Sequence, residues 1–169
     1  EKAIAAGSYK HFLVTHNETS TAVMQPLEAL AKAARRANPD ICILVDAVSS
    51  AGVVDLPVDA WDLDIVVAGS QKAFMIPPGL AMVAVSARAW KLHAQATAPR
   101  YYFDFTMHKD WAVKGQTPWT PAIPQVLQLH RSLELMRAEG LHAIFARHEA
   151  MTRMLRAGLA ALGLQPVVT

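Results

Sequence analysis

The chain has 169 residues, of which 53% are hydrophobic and 18% are charged, and its formal net charge is +2 at pH 7. This composition is typical of a folded globular protein. The small net charge does not favour a nucleic acid or an anionic membrane as partner. No stretch is apolar over the length of a membrane-spanning helix. The one cysteine, Cys42, excludes an intramolecular disulfide and fits a reducing compartment such as the cytoplasm, with an organelle such as the peroxisome as the open alternative.

The first part of the chain predicts two buried strands joined by a helix. Residues 11–15 form a short apolar run that ends at a polar cluster, residues 16–21. Pro26 opens a segment in which apolar side chains recur at helical spacing. Residues 41–45 are apolar on both faces, as in the strands of a covered parallel sheet, and end at Asp46. Strand, helix and strand together predict a βαβ unit.

The middle of the chain predicts two more strands of the same sheet. A short helix is expected within residues 57–61, before a buried strand at 64–68. The preceding connection is long enough for a crossover, so this strand is predicted to be parallel to the one before it. The connection to the next apolar run, residues 80–85, is too short for a crossover, so that strand is predicted to be antiparallel, with a helix following at 86–93.

The last third of the chain predicts an irregular segment and two helices. Residues 97–120 hold most of the aromatic side chains without a clean period and are predicted to be irregular. Pro121 opens a long helical pattern that breaks near Gly140, and a second helix ends at Gly163. Val167 and Val168 are a possible strand start.

Polar groups follow three successive predicted strands: the cluster 16–21, Asp46 and Lys72. In open α/β sheets, ligands bind beyond the carboxyl ends of the parallel strands, so we expect these groups to face one crevice. Each has a structural alternative, since Asp46 suits a helix cap or a surface position and hydroxyl residues such as Thr19 commonly form turns. Together they supply an amine, a carboxylate and hydroxyls, which suit a cofactor with a carbonyl group.

Lys72 lies in an apolar setting, between a strand end and a rigid Pro-Pro-Gly turn. We expect its ammonium group to be partly desolvated, which favours the neutral amine that reacts with a carbonyl. The alternative is a lysine whose stem packs on apolar neighbours while its ammonium group reaches water.

Five motifs in this order closely resemble those of class V pyridoxal-phosphate aminotransferases, nearest the alanine–glyoxylate and serine–pyruvate aminotransferases. They are residues 16–21 (HNETST), 45–50 (VDAVSS), 69–72 (GSQK), 77–79 (PPG) and 117–121 (TPWTP). The resemblance runs through essentially the whole chain, and five motifs at compatible spacing are far more specific than any one of them.

The resemblance implies an α/β fold, part of the large domain of the fold-type I transferases that bind pyridoxal 5'-phosphate. This domain has a mostly parallel sheet with one antiparallel strand and helices on both faces. Residues 1–139 would be the carboxyl-terminal part of this large domain, and residues 140–169 the first helix and start of a small domain. Members of the family are longer, so the chain resembles a fragment that lacks a phosphate loop, a stacking aromatic residue and early strands before it, and a carboxylate-binding arginine after it.

The resemblance also implies a role for each matching residue. Lys72 would form the internal aldimine and move a proton between the substrate α-carbon and the cofactor, and Asp46 would keep the pyridine nitrogen protonated. The other implied cofactor contacts are Thr19 to the phenolate oxygen, Gln71 to the phosphate, Val48 to one ring face, and Thr120 to the phosphate of the partner subunit in a homodimer.

The implied reaction is transamination between an amino acid of the alanine or serine type and a 2-oxo acid of the glyoxylate or pyruvate type. Relatives that use ureidoglycine, aminoethylphosphonate or pyridoxamine as the amino donor are equally compatible. Class V cysteine desulfurases need a mobile-loop cysteine, and Cys42 lies in a strand instead. A third interpretation is a folded fragment with no catalytic activity.

The histidines do not predict a metal site. His142 and His148 are six residues apart on a predicted helix and so face different sides, and the remaining five are scattered. His16 lies at the predicted crevice without an assigned role.

Overall fold

The computed structural model describes residues 1–166 and 168. The helices are α1 (Lys2–Ala6), α2 (Leu27–Ala37), α3 (Ala87–Gln95), α4 (Phe105–Val113), α5 (Ile123–Glu139) and α6 (Leu141–Ala161). The strands are β1 (His11–Thr15), β2 (Asn17–Glu18), β3 (Val23–Met24), β4 (Cys42–Asp46), β5 (Ile65–Gly69) and β6 (Ala81–Val85).

Four of the strands form one mostly parallel sheet in the order β1, β4, β5, β6. The first three are parallel to one another, and β6 is antiparallel to β5 with Ala81 opposite Gly69. This confirms the predicted α/β fold with a mostly parallel sheet and one antiparallel strand. The short connection between β5 and β6 forces the antiparallel pairing, because a parallel return needs a crossover of a dozen or more residues.

The hydrophobic core forms where α2 covers the sheet. α2 buries Leu27, Ala31 and Ala34, whose spacing places them on one face of the helix. The buried core residues are Leu27, Ala31, Ala34, Ile41, Ile43, Val45, Ala47, Leu63 and Val66. Full burial of one leucine or isoleucine side chain contributes about 2 kcal/mol, so this cluster anchors the middle of the sheet.

The amino end of β5 is held by a buried carboxylate. Asp64 Oδ2 accepts from the Ile43 N–H at 2.8 Å and from Arg35 Nη2. Its Oδ1 accepts from Ser86 Oγ at 2.8 Å and from Arg88 Nη1 at 2.9 Å. These contacts join α2, β4 and α3 to β5 at the end of the sheet opposite to the predicted crevice.

Hydrogen bonds keep Asp64 ionised despite its burial. Burial alone would raise the pKa of Asp64, but the hydrogen bonds from the Ile43 N–H, Ser86 and Arg35 outweigh it, and the pKa lies below its usual value. The carboxylate therefore contributes stability at neutral pH.

Three local predictions were wrong or incomplete. The polar cluster 16–21 contains β2, which pairs with β3 in a small hairpin. The segment 57–61 forms hydrogen-bonded turns, including Trp61 N–H to Pro57 O at 3.0 Å, and not a helix. The predicted irregular segment 97–120 contains α4, which Asp104 caps by accepting from the Thr106 N–H at 2.9 Å.

The sequence of α4 shows no helical period of apolar residues, because this helix has no fully buried side chain. Without a buried face there is no apolar stripe for sequence periodicity to reveal. The possible strand start at Val167 and Val168 includes Val167, which lies outside the described residues.

The last two helices, α5 and α6, leave much of their apolar surface exposed. Their exposed large apolar residues include Ile123, Val126, Leu127, Leu133, Met151, Leu155 and Leu159. None of the helices in the described part of the chain combines the length and apolarity needed to cross a membrane.

We expect Asp64→Asn to lower the free energy of unfolding by about 3 kcal/mol at pH 7, because it leaves two arginines beside a site that has lost its charge. The matched control is Asp62→Asn, which removes an exposed carboxylate from the same two arginines and should cost about 1 kcal/mol or less. Urea unfolding of the three proteins measures both effects.

The stability that Asp64 contributes depends on pH in a defined direction. The folded-state pKa of Asp64 is lowered, so its stabilisation is complete above the unfolded value of about 4 and is lost as the pH falls through the folded value. The difference in the free energy of unfolding between wild type and Asp64→Asn should therefore decrease only at acidic pH, below about 4. Equal costs for the two variants would contradict the role of Asp64.

Candidate functional site

The register of the parallel strands brings the carboxyl ends of β1, β4 and β5 to one edge of the sheet. Thr15 is opposite Asp46, and Asp46 is opposite Val67. The segments that follow these residues therefore leave the sheet at the same edge, as the sequence predicts for one crevice.

Asp46 has a fixed orientation at this edge. It is the last residue of β4, its side chain is exposed, and its Oδ1 accepts from the Val48 N–H at 2.9 Å. The Ala47 N–H still donates to Val67 O at 2.9 Å, which keeps the start of the following turn attached to β5. The carboxylate is thus held by its own turn and faces the open edge of the sheet.

Thr19 meets the turn that follows Asp46. Thr19 Oγ1 lies 2.7 Å from Ser49 Oγ, so a hydrogen bond joins the β2–β3 hairpin loop to that turn. The hairpin loop is itself held by Glu18, which accepts from the Ser20 N–H at 2.9 Å and from Ser20 Oγ at 2.6 Å. These two hydrogen bonds from Ser20 lower the pKa of Glu18. Ser49 lies within the motif at residues 45–50, but the sequence does not predict it as a site residue.

Gly69 leaves room for the side chains of Val48 and Gln71, which both lie over the end of β5. A Cβ atom at Gly69 would lie 3.0 Å from Gln71 Oε1 and 3.3 Å from Val48 Cγ1, both closer than ordinary van der Waals contact. A side chain at this position would force Val48 and Gln71 to shift. Val48, in the turn after Asp46, thus packs against the end of the strand that leads to Lys72.

The loop that carries Lys72 is closed by hydrogen bonds on the buried side chain of Ser70. Ser70 Oγ donates to Pro77 O at 2.9 Å and accepts from the Leu80 N–H at 3.3 Å. Inside the loop, the Met75 N–H donates to Lys72 O at 3.0 Å. One serine hydroxyl thus ties the start of the loop to its end.

The Lys72 side chain is exposed, so the expected partial desolvation is not observed in this chain. The loop lies at the open edge of the sheet, and its apolar neighbour Ile76 turns into the protein instead of covering the amine. The exposed amine is accessible to a ligand that binds along this edge.

His16 is buried behind the site and does not line its open surface. It is 3% exposed, its Nδ1 lies 3.0 Å from Ser50 Oγ, and its ring packs edge-on against Trp61 with centroids 6.4 Å apart. Its backbone N–H donates to Asp46 O at 2.9 Å. Burial lowers the pKa of His16, so the imidazole is neutral at pH 7 and fixes the turn after Asp46 from below.

Thr120 lies on an exposed segment between α4 and α5. It is exposed and follows Trp119, whose ring stacks on Tyr102 with centroids 5.2 Å apart and whose Nε1 donates to Tyr102 O at 3.2 Å. No hydrogen bond within residues 1–166 joins Thr120 to Thr19, Asp46, Gln71 or Lys72. The structure therefore brings five of the six predicted site residues to one edge, and no hydrogen bond within residues 1–166 links Thr120 to them.

The groups at this edge fit the predicted cofactor, a ring that carries an aldehyde and a phosphate. Lys72 offers an amine for the aldehyde, Asp46 a carboxylate for the ring nitrogen, and Val48 an apolar contact for the ring face. The individual roles stay predictions. Across residues 1–166 and 168, no three His, Cys, Asp or Glu side chains are grouped so as to hold a metal ion.

Comparison with known proteins supports the resemblance seen in the motifs. A sequence model of the family "Aminotransferase class-V" matches residues 1–168. The "L-aspartate--glyoxylate aminotransferase" of Paracoccus denitrificans is 40% identical over 153 residues, which are 90% of this chain and 39% of that protein. The "Soluble hydrogenase, small subunit" of a Synechococcus strain is 46% identical over 155 residues, which are 92% of this chain and 40% of that protein.

A solved structure has the same fold. The pyridoxamine-pyruvate aminotransferase from Mesorhizobium loti superposes with a TM-score of 0.89 at 29% identity, over 99% of this chain and 45% of that one. The chain spans about 40% of the length of the curated relatives it matches. These matches confirm the family resemblance.

We expect the His16 ring protons to titrate below the ordinary histidine value of about 6.5, because burial opposes the charged form. Proton NMR as a function of pH, with His16→Gln to assign the resonance, measures this. Ser50→Ala is the matched control: it removes the hydrogen-bond partner but keeps the ring buried, so the pKa should stay low. Titration at or above the ordinary value would contradict the buried neutral imidazole.

Because the folded-state pKa of His16 is lowered, the unfolded chain binds a proton more readily than the folded one. The free energy of unfolding should therefore fall as the pH drops below about 6.5, and His16→Gln should remove this part of the pH dependence.

Proposed function

Because the chain belongs to the class V aminotransferases, we propose that it carries the reacting lysine of a pyridoxal-phosphate-dependent transaminase. The amino donor is an amino acid of the alanine or serine type, and the acceptor is a 2-oxo acid of the glyoxylate or pyruvate type. The observation that carries the proposal is the chain of contacts from Asp46 through Val48 and Gly69 to the Lys72 loop. These contacts bring a carboxylate and a primary amine to one edge of the sheet.

The cofactor supplies a conjugated ring that accepts the electron pair left when the substrate α-proton is removed. The Asp46 carboxylate keeps a proton on the ring nitrogen, since an adjacent negative charge stabilises the protonated base. The Asp46 carboxylate is oriented before the cofactor binds, because it already accepts a hydrogen bond from the Val48 N–H.

Lys72 would hold the cofactor through its aldehyde carbon, with loss of water, and would carry a proton between the substrate α-carbon and the C4′ position once the substrate amine has displaced it. The amine has to be neutral to accept that proton. Its exposure in this chain leaves it free to react, and the rest of the protein supplies the cover that excludes water.

The remaining predicted residues orient the ring. Val48 packs on one face, Thr19 donates to the phenolate oxygen, and Gln71 contacts the phosphate. The hydrogen bond between Thr19 and Ser49 supports this assignment, because it holds the hydroxyl beside the turn that carries Val48.

We propose a homodimer in which Thr120 of one subunit reaches the phosphate held by the other. Thr120 follows Trp119, which packs against exposed aromatic side chains, and Tyr101 is 69% and Phe103 82% exposed. Exposed aromatic clusters are typical of protein interfaces.

In the whole protein, residues 1–139 belong to the cofactor-binding large domain and residues 140–169 begin the small domain. The helix break at Gly140, between α5 and α6, supports this boundary. The proposed location is the cytoplasm.

The name of the Synechococcus relative refers to a different activity, that of a soluble hydrogenase subunit. Transamination is favoured here because the amine, carboxylate and amide at the sheet edge are the groups that its cofactor needs. Assaying hydrogen production and amino transfer on one preparation separates the two activities.

We expect borohydride reduction of the holoenzyme to leave a pyridoxyl adduct on Lys72, detected by peptide mass mapping. Lys72→Arg keeps the positive charge but cannot form the link, so the adduct and the visible absorbance should disappear and turnover should fall by about a thousandfold or more. The matched control, Lys32→Arg on the exposed face of α2, should leave all three unchanged. Turnover that survives Lys72→Arg would contradict the assignment, and absence of any adduct in wild type would favour the inert fragment.

Mixed dimers test the position of Thr120. Homodimers of Lys72→Arg and of Thr120→Val should each have low activity. The activity of Thr120→Val should fall about tenfold, because this variant loses a hydrogen bond to a charged group. Co-expression should restore about one quarter of wild-type activity, because half of randomly formed dimers are mixed and each has one intact site. No restoration would indicate that Thr120 serves the site of its own subunit.

A further inference from the structure

Helix α5 contacts the Lys72 loop through one narrow face. Ser132 and Met136 are its two buried residues within the described chain, at 4% and 5% exposure. They are four residues apart and therefore lie on the same face of the helix. Ser132 Oγ donates to Phe74 O in the lysine loop.

The second contact, through Met136, is independent of the first. A Cβ atom at Gly52 would lie 3.2 Å from Met136 Cε, 3.1 Å from Ala73 Cβ and 3.9 Å from Phe74 Cζ. Gly52 has a φ of +93° and follows the turn of Asp46. Helix α5, the lysine loop and the segment after Asp46 therefore meet at one close-packed point.

The lysine loop needs external support because its backbone is strained. Met75 has a φ of +57°, in the left-handed region, which costs about 1 kcal/mol or more for a residue other than glycine. Such a conformation persists only where surrounding contacts hold it. The carbonyl that precedes Met75 is the Phe74 oxygen bonded to Ser132, and the Met75 N–H closes the loop onto Lys72 O at 3.0 Å.

Ser70 and Ser132 hold different parts of the loop. Ser70 ties its two ends together through Pro77 and Leu80. Ser132 holds the peptide between residues 74 and 75, two residues beyond Lys72. Without Ser132 the ends of the loop would stay joined, but its middle would lose the contact that orients the lysine.

We propose that Ser132 is a positioning residue for Lys72: its hydroxyl fixes the Phe74 carbonyl, and thereby the direction in which the loop presents the amine. The role of Lys72 itself rests on the proposed function. Through Ser132, the helix that leads to Gly140 and α6 also becomes part of the support of the lysine.

The first test is amide hydrogen exchange of the cofactor-free protein. In Ser132→Ala, the Met75 N–H that bonds to Lys72 O should exchange about tenfold faster than in wild type, because local opening of the loop becomes easier. The matched control is Ser86→Ala, which removes a half-buried serine hydroxyl that caps α3 and bonds to Asp64 at the other end of the sheet. It should leave exchange at Met75 unchanged.

The second test follows the lysine directly. The rate at which Lys72 captures pyridoxal phosphate, trapped by borohydride and measured by peptide mass mapping, should fall about tenfold in Ser132→Ala, with a changed pH profile. Ser86→Ala should keep the wild-type profile even if its overall stability falls. Ser132→Thr, which restores the hydroxyl, should recover most of the rate.

Two outcomes would overturn the proposal. Unchanged exchange at Met75 in Ser132→Ala would show that the hydroxyl does not hold the loop. If the Met75 N–H exchanged faster in Ser132→Ala but Lys72 captured pyridoxal phosphate at the wild-type rate, Ser132 would have a structural role only.

If Ser132→Ala does not fold, Ser132→Cys gives the same test, because it nearly keeps the volume but donates weakly. Exchange is measured without cofactor, so its outcome is distinguishable from a failure of the proposed function.

Discussion

The carboxyl ends of three parallel strands lie at one edge of the sheet, with Thr15, Asp46 and Val67 in register, and this register is the constraint on which the candidate site depends. It directs the three following segments to the same edge of the sheet, where side-chain contacts then join them. Because successive side chains of a strand point to opposite faces, a shift of one residue in β4 would turn the Asp46 carboxylate away. The reactive groups are therefore positioned by backbone hydrogen bonds before any ligand contributes.

The two ends of the sheet are stabilised in different ways. At the amino end, a buried carboxylate with a lowered pKa joins four elements through charged and neutral hydrogen bonds. At the carboxyl end, the uncharged hydroxyls of Ser70 and Ser132 hold the lysine loop, and the charged groups Asp46 and Lys72 stay exposed. The charged groups at the amino end are thus paired and stabilise the fold, whereas Asp46 and Lys72 at the carboxyl end are accessible to a ligand.

The exposed apolar surface is consistent with a chain that spans about 40% of its relatives. Helices α5 and α6 expose long apolar side chains, and the segment around Trp119 exposes aromatic ones. Apolar surfaces of this kind are normally buried against other parts of a protein or a partner subunit. The same covering would remove water from Lys72, which the chain alone does not do.

The sequence by itself determined the βαβ order, the antiparallel return of β6, and the placement of Asp46 and Lys72 at strand ends, because strands and short connections leave local signals. It missed α4, since a helix without a buried face has no periodic stripe, and it overestimated the burial of Lys72. Only the tertiary structure decided that Ser49 meets Thr19, that His16 turns inward, and that Ser132 holds the lysine loop from 58 residues away. Such contacts depend on how distant segments pack, and a single serine in a helix carries no local signal of its partner.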